Sequence, residues 1–286
     1  MIIDKPRGPS SHQVTAWIRD MLQVSAGHSG TLDPAVSGVL AVMIGNAVKL
    51  APILLNQEKE YVCLMRLHQE VPGERLEEIL GEFRGRIYQR PPRKSAVARR
   101  LRIRSVGELE LLDLQGRLVL LRVRCDAGTY IRSLCHHIGL ALGTGAHMQE
   151  LRRTRSGPFA ETAAHSLQDL KDAHIRAQAG EPEYLAGFIL PIESATADLP
   201  RVIVTDAAID ALCHGAGLAG VGITIASPFQ KKDMVAVYSK KDELICLGEA
   251  IVPSASFRPG DHGLVIAPRA VFMMPGTYPR GWKKRE

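Results

Sequence analysis

Residues 27–34 read Gly-His-Ser-Gly-Thr-Leu-Asp-Pro, a polar stretch framed by two glycines and a proline. The apolar run that follows, residues 38–44, predicts a buried strand. We therefore expect Asp33 on a stiff loop at the edge of a core, where catalytic groups concentrate. Asp-Pro is also a common turn signal, so this stretch alone leaves a structural turn and a catalytic carboxylate both open.

Helical and extended patterns alternate on both sides of this stretch. Ser10, three residues before Gln13, forms a capping box in front of apolar side chains at helical spacing. The first 190 or so residues therefore predict one mixed α/β, or α+β, domain. Its expected helices cover residues 9–22, 74–83 and 129–142, with another opened by Ser166, and its expected strands cover residues 38–44, 60–67 and 118–125.

A second module follows residues 191–200. A strand at 201–204, a short helix capped by Thr205, a hairpin joining 234–238 to 244–252, and a strand at 263–273 are predicted. About 75 residues of this kind suit a small β-barrel.

Charge is concentrated in one segment of the chain. Residues 84–104 contain nine Lys and Arg and no acidic residue. The other 27 basic residues face 30 acidic ones, which leaves the rest of the chain at a net −3. A stripe of positive charge of this kind is typical of a protein that binds along a polyanionic backbone. A basic loop that is simply exposed to solvent is an alternative that the charge pattern leaves equally open.

The composition excludes several other classes of protein. Five cysteines without a C-x-x-C pair suggest a reducing compartment, and no window of eighteen apolar residues occurs. A soluble, cytoplasmic protein without membrane contact is expected. The Gly143-Thr144-Gly145 run does not complete a dinucleotide fingerprint. The candidate metal ligands are Cys125, Cys135, His136 and His137. Their spacing matches no common zinc site, so we expect no metal site.

Gly128 allows a sharp strand-to-helix turn that would place Tyr130 and Arg132 in the first turn of a helix. A cation at a helix N-terminus opposes the helix dipole. Arg132 is therefore expected to face a carboxylate or phosphate, with a solvated surface arginine as the alternative.

Five ordered motifs stand along the first 195 residues: Asp4-Lys5-Pro6-Arg7-Gly8-Pro9-Ser10-Ser11, residues 27–34, Lys59-Glu60-Tyr61-Val62, Gly128-Thr129-Tyr130-Ile131-Arg132 and Gly145-Ala146-His147-Met148-Gln149-Glu150-Leu151-Arg152-Arg153-Thr154. Together they resemble the TruB/dyskerin family of pseudouridine synthases over residues 2–195. The resemblance implies a catalytic domain with a central, mostly antiparallel sheet. Residues 199–273 resemble the family's RNA-binding PUA domain, and residues 274–286 are expected to form a basic tail.

Gln89-Arg90-Pro91-Pro92, followed by Ser95-Ala96-Val97, is more similar to the archaeal and eukaryotic dyskerin branch. That branch is the catalytic subunit of H/ACA ribonucleoproteins, in which a guide RNA selects a uridine in rRNA or tRNA and small protein subunits assemble around the synthase. Residues 84–104 would form the thumb loop over substrate RNA. A stand-alone tRNA synthase and a catalytically silent RNA-binding scaffold are the alternatives.

The resemblance also implies a role for each matching residue. Asp33 would be the catalytic aspartate, nucleophile or base, kept ionised by Arg132 in a site drained of water, and Tyr61 would stack on the extruded uracil. The isomerisation loses no atom, so the resemblance implies no cofactor and no metal. The implied substrate or RNA contacts are His28, Tyr130, Leu151, Lys5, Lys49, Arg93, Lys94, Arg99 and Arg100.

One departure concerns the first motif. Members of the dyskerin branch carry residues ahead of it that pack along the PUA module, whereas here it begins at Asp4. Either the sequence starts late or this member lacks that strand, which would affect the PUA domain rather than the active site.

Overall fold

The computed structural model describes residues 1–90, 100–258 and 260–279. The chain divides into two compact units, Met1–Ile189 and Leu190–Glu286. In the described part of the chain, no helix has the length and apolar composition needed to cross a bilayer.

Within its described residues, the first unit has nine strands in one sheet. Their bounds are β1 Ile2–Lys5, β2 Ala26–Ser29, β3 Ser37–Ile44, β4 Lys59–Leu67, β5 Gly85–Gln89, β6 Arg102–Gln115, β7 Leu118–Cys125, β8 Ala146–Ser156 and β9 Phe159–Ala160. The strand order is β1-β3-β8-β4-β7-β6-β5, with β2 beside β3 and β9 beside β8. Every described pairing is antiparallel except that of β3 with β8, so the mostly antiparallel sheet is confirmed.

Helices pack on this sheet through apolar faces. Their bounds are α1 Ser11–Leu22, α2 Ala51–Asn56, α3 Gly73–Glu82, α4 Ile131–Ala141, α5 Leu167–Gln178 and α6 Pro182–Ala186. The main core joins α3 and α4 to β4, β6 and β7, and a second cluster joins α1 and α5 to β1 and β3. The predicted capping boxes at Ser10 and Ser166 are both present.

Three polar stretches contain β-strands that the sequence patterns did not predict. The loop expected at 27–34 begins inside β2, and the basic loop expected at 84–104 contains β5 and the start of β6. The strand β8 was not predicted at all. In each case, backbone hydrogen bonds to a neighbouring strand override a sequence rich in charged residues and glycine.

The described part of the second unit, residues 190–258 and 260–279, contains a six-stranded sheet and one α-helix. The strands are β10 Arg201–Val204, β11 Leu218–Ala219, β12 Ile223–Ala226, β13 Met234–Tyr238, β14 Leu244–Ala250 and β15 Leu264–Val271, and the helix is α7 Asp206–Cys213. The predicted hairpin is confirmed, since β13 pairs antiparallel with β14.

The short 3₁₀ helix Ile192–Thr196 belongs to the second unit. Its Thr196 hydroxyl is hydrogen-bonded to the Tyr238 hydroxyl, and Glu193 accepts a hydrogen bond from the Leu244 amide. In the expected basic tail, the Tyr278 hydroxyl donates to Glu243, and residues 280–286 lie outside the described residues.

Gly38 is required where β3 meets β8. Its φ is +105°, and a Cβ at this position would lie 2.2 Å from the carbonyl oxygen of Arg153. Gly38→Ala should therefore lower the free energy of unfolding by about 3 kcal/mol, the sum of a left-handed backbone and an overpacked contact. Chemical denaturation measures the change.

Gly8→Ala is the matched control, because Gly8 also has a positive φ, +113°, but has open space around its missing Cβ. The control should lose only about 1 kcal/mol. Equal losses in the two variants would show that the close approach of β8 does not matter.

Candidate active site

The loop that carries Asp33 connects β2 to β3 and is held on both sides of the carboxylate. The Ser11 hydroxyl accepts a hydrogen bond from the Leu32 amide at 2.8 Å and donates to the Leu32 carbonyl at 3.1 Å. On the other side, the Gly8 amide donates to the Pro34 carbonyl at 2.8 Å. The first motif of the sequence therefore serves to fix the backbone around Asp33.

Lys5 completes this support from the end of β1. Its side chain is fully buried, and its ammonium donates to the carbonyls of Val36 at 2.8 Å and Pro6 at 2.7 Å. Burial, followed by the nearby Arg153 charge, lowers the pKa of Lys5, whereas Asp33 raises it. The resemblance gives Lys5 as a residue that supports the fold or contacts RNA; its buried ammonium here holds the backbone on both sides of the Asp33 loop.

Arg132 reaches the Asp33 carboxylate from the first turn of α4. The two side chains form an ion pair although 99 positions separate them in the sequence. The carboxylate partner expected for Arg132 is thus present. Both side chains are about half exposed, 51% for Arg132 and 54% for Asp33. Because exposed pairs contribute only about 0–1 kcal/mol, this one adds little stability.

Arg153 is the site residue that sequence reasoning missed. It lies in β8, only 1% exposed, and donates from Nε to the Val39 carbonyl at 2.8 Å and from Nη2 to the Gly30 carbonyl at 3.0 Å. It is also hydrogen-bonded to the Tyr61 hydroxyl. Burial lowers the pKa of Arg153, while Tyr61 acts in the opposite direction. One buried cation therefore joins the Asp33 loop to Tyr61.

Tyr61 lies directly across from Arg153 on β4. Burial raises the pKa of its hydroxyl, and the Arg153 charge and hydrogen bond counteract part of that rise. Cys125 and Asp33 raise the Tyr61 pKa further. The hydroxyl is therefore protonated at neutral pH, with a guanidinium fixed at its oxygen.

The other expected contacts lie around this centre. His28, in β2, is hydrogen-bonded to Thr15, and burial, then His12 and Arg153, lowers its pKa. Tyr130 and Leu151 are half-buried, and Lys49 and Arg100 are exposed. Arg93, Lys94 and Arg99 lie outside the described residues.

The donors of this centre suit acid–base and electrostatic chemistry rather than metal binding. Within residues 1–90, 100–258 and 260–279, no three His, Cys, Asp or Glu side chains cluster as metal ligands would. The arrangement offers a carboxylate beside a guanidinium and a tyrosine hydroxyl held by a second guanidinium. The Asp33 pair can position a proton acceptor against a neutral substrate, and the Tyr61 pair a proton donor.

Comparison with known proteins places these features in a family. Residues 19–131 match the model of the TruB family pseudouridylate synthase N-terminal domain, and residues 132–197 match the C-terminal domain of tRNA pseudouridylate synthase B. A probable tRNA pseudouridine synthase B from Methanothermobacter thermautotrophicus is 51% identical over 98% of this chain and 88% of its own length. The chain belongs to the TruB family of pseudouridine synthases. The TruB-family relative from Archaeoglobus fulgidus is 50% identical over 98% of this chain and 87% of its own.

The matches cover both units of the chain. Residues 200–272 match the family model of the PUA domain. The TruB-family chain shares 48% identity and a TM-score of 0.93 with a chain of a Cbf5-Nop10-Gar1 complex, covering 98% of this chain and 87% of that one. A chain of an H/ACA ribonucleoprotein bound to substrate RNA gives 46% identity and a TM-score of 0.91 with the same coverage. The expected fold, α+β catalytic domain followed by PUA domain, is confirmed.

Lys59, at the start of β4, should make stability depend on pH. Burial, followed by the Arg153 charge, lowers its pKa from 10.5 to about 8. Between these values the unfolded chain binds more protons than the folded one, so the free energy of unfolding rises with pH. The rise attributable to Lys59 is up to about 3 kcal/mol and should be absent in Lys59→Met.

Urea unfolding at pH 7.5 and pH 10 measures this difference between the two proteins. Lys171→Met, at an exposed position of α5, is the control and should keep the pH dependence of the wild type. The same pH dependence in Lys59→Met would contradict the assignment.

Proposed function

We propose that this pseudouridine synthase is the catalytic subunit of an H/ACA ribonucleoprotein, working in the cytoplasm. A guide RNA would select the target uridine in rRNA or tRNA, and small protein subunits would assemble around the chain. The observation that carries the proposal is the match over 98% of the chain, both units included, to proteins solved within H/ACA and Cbf5-Nop10-Gar1 complexes.

In this proposal Asp33 starts the isomerisation. The N1–C1′ bond of uridine breaks, uracil turns, a C5–C1′ bond forms, the C5 proton leaves and N1 takes up a proton. Asp33 acts either as a nucleophile or as a base in this sequence, and Arg132 orients its carboxylate. The solvent exposure of the Asp33–Arg132 ion pair supports this role, because an exposed site admits RNA and the bound RNA then excludes water from it.

Tyr61 and Arg153 would act on the base. Extruding a uridine costs a few kcal/mol, and stacking on an aromatic ring returns about 1–3 kcal/mol. The Tyr61 hydroxyl, held by Arg153, is suited to relay the C5 proton, giving up its own proton as it takes that one. Around it, Tyr130, Leu151 and His28 would line the uridine pocket.

Phosphate contacts would come from surface cations. Lys49 and Arg100 are exposed. Arg93, Lys94 and Arg99 belong, like Arg100, to the basic segment 84–104. Such contacts supply affinity without sequence specificity, which agrees with a guide RNA that does the selecting.

A stand-alone tRNA pseudouridine synthase is the second candidate. It is favoured by the name that the archaeal relatives carry, probable tRNA pseudouridine synthase B. A catalytically silent scaffold has less support, since Asp33, Tyr61 and Arg132 are all present.

Release of tritium from C5-labelled uridine tests the proposal. One reaction contains the protein, a guide RNA, its target strand and the small H/ACA proteins, and the other contains the protein and a tRNA transcript. We expect release in the first reaction only. Equal release with the transcript alone would establish the stand-alone function instead.

Asp33→Asn should reduce release more than about a thousandfold while leaving RNA binding intact, because it removes the nucleophile or base without changing the side-chain shape. Asp20→Asn, an exposed carboxylate on α1 paired with Arg19, is the charge-matched control and should retain activity. Turnover by Asp33→Asn at the control's rate would overturn the role of Asp33.

A further inference from the structure

Gln89 makes a two-point contact with the backbone of Tyr130. The Tyr130 amide donates to Gln89 Oε1 at 2.9 Å, and Gln89 Nε2 donates to the Tyr130 carbonyl at 3.2 Å. The Gln89 side chain is 2% exposed. A carboxamide is the neutral side-chain group that supplies both an acceptor and a donor in this arrangement, so neither leucine nor glutamate can replace it.

This contact lies where α4 begins. Tyr130 is the N-cap residue of the helix, and its carbonyl also accepts the first helical hydrogen bond, from the Leu134 amide at 3.0 Å. The N-cap amide has no partner within a helix, so Gln89 satisfies it from another strand. Two residues later, Arg132 pairs with Asp33. The start of α4 thus sets the direction of the Arg132 side chain.

Gln89 is also the last residue of β5, within the basic segment 84–104. Its Cα partner is Arg102, the first residue of β6. The amide of Gln89 therefore connects the end of the β5–β6 pair to the helix that carries Arg132.

We propose that Gln89 is a positioning residue that holds the first turn of α4, and with it Arg132 and Tyr130, in place relative to the end of β5. The proposal rests on the proposed pseudouridine synthase site. It concerns the rate of conversion and not the affinity for RNA, because the buried Gln89 amide has no exposed surface for RNA.

Gln89→Leu removes both hydrogen bonds and keeps an apolar shape of similar size. We expect the single-turnover rate of conversion to fall about 10- to 100-fold, the effect of a misplaced catalytic group, while the Kd for RNA stays within about twofold of wild type. Gln89→Asn keeps the carboxamide on a side chain one methylene shorter, which weakens both hydrogen bonds without burying a charge, so its rate should lie between the two. It also carries the test if Gln89→Leu does not fold.

Gln57→Leu is the matched control. The amide of Gln57 has buried nitrogen and oxygen atoms without a hydrogen-bond partner among the described residues, so the same substitution there removes no hydrogen bond. Its rate should equal that of the wild type. An equal loss of rate in the Gln57 and Gln89 variants would reduce the effect to general destabilisation and overturn the proposal.

Amide hydrogen exchange at residues 130–132, measured by mass spectrometry, reports on the Gln89–Tyr130 hydrogen bonds in the absence of RNA. Exchange should be faster in Gln89→Leu and unchanged in Gln57→Leu. Unchanged exchange in Gln89→Leu, or weakened RNA binding with an unchanged conversion rate, would overturn the proposal. Failure of the wild type to convert uridine would refute the proposed function, and the exchange comparison would still decide the Gln89 contact.

Discussion

The geometry of the site depends on burying the Arg153 guanidinium between three strands. Arg153 lies on β8, and its partners are Val39 on β3, Gly30 at the end of β2 and Tyr61 on β4. A buried charge is tolerated only when its hydrogen bonds are satisfied, so these partners cannot move independently. The requirement explains Gly38, whose missing Cβ lets the backbone of β8 approach β3.

The surroundings of Arg153 show that this part of the fold is not optimised for stability. Lys5 and Lys59 are buried near it, and repulsion from Arg153 contributes to the lowered pKa of each. Grouping cations in this way disfavours the folded chain at neutral pH, but it surrounds the Tyr61 hydroxyl and the Asp33 loop with fixed positive charge. Fixed charges that need no rearrangement during reaction are what electrostatic catalysis requires.

Much of the fold could be predicted from local pattern. The capping box at Ser10 and the apolar runs of β3 and β7 identify their elements without tertiary information. Asp33 stood out because glycine and proline frame it. Arg153 did not, because it sits in a run of charged residues that resembles a surface, and only the pairing of β8 with β3 and β4 buries it. The contact of Gln89 with Tyr130 likewise depends on residues 41 positions apart.

Replacing Arg153 with lysine tests this account most directly, because a single ammonium keeps the charge but cannot reach both carbonyls and the Tyr61 hydroxyl. Arg152→Lys, the next residue on β8, whose partners are Asp4 and Glu161, is the control. Conversion rate and amide exchange at residues 30–33 are measured in both. The account predicts a rate loss of about 100-fold and faster exchange in Arg153→Lys alone. Wild-type rate and exchange in Arg153→Lys would contradict it.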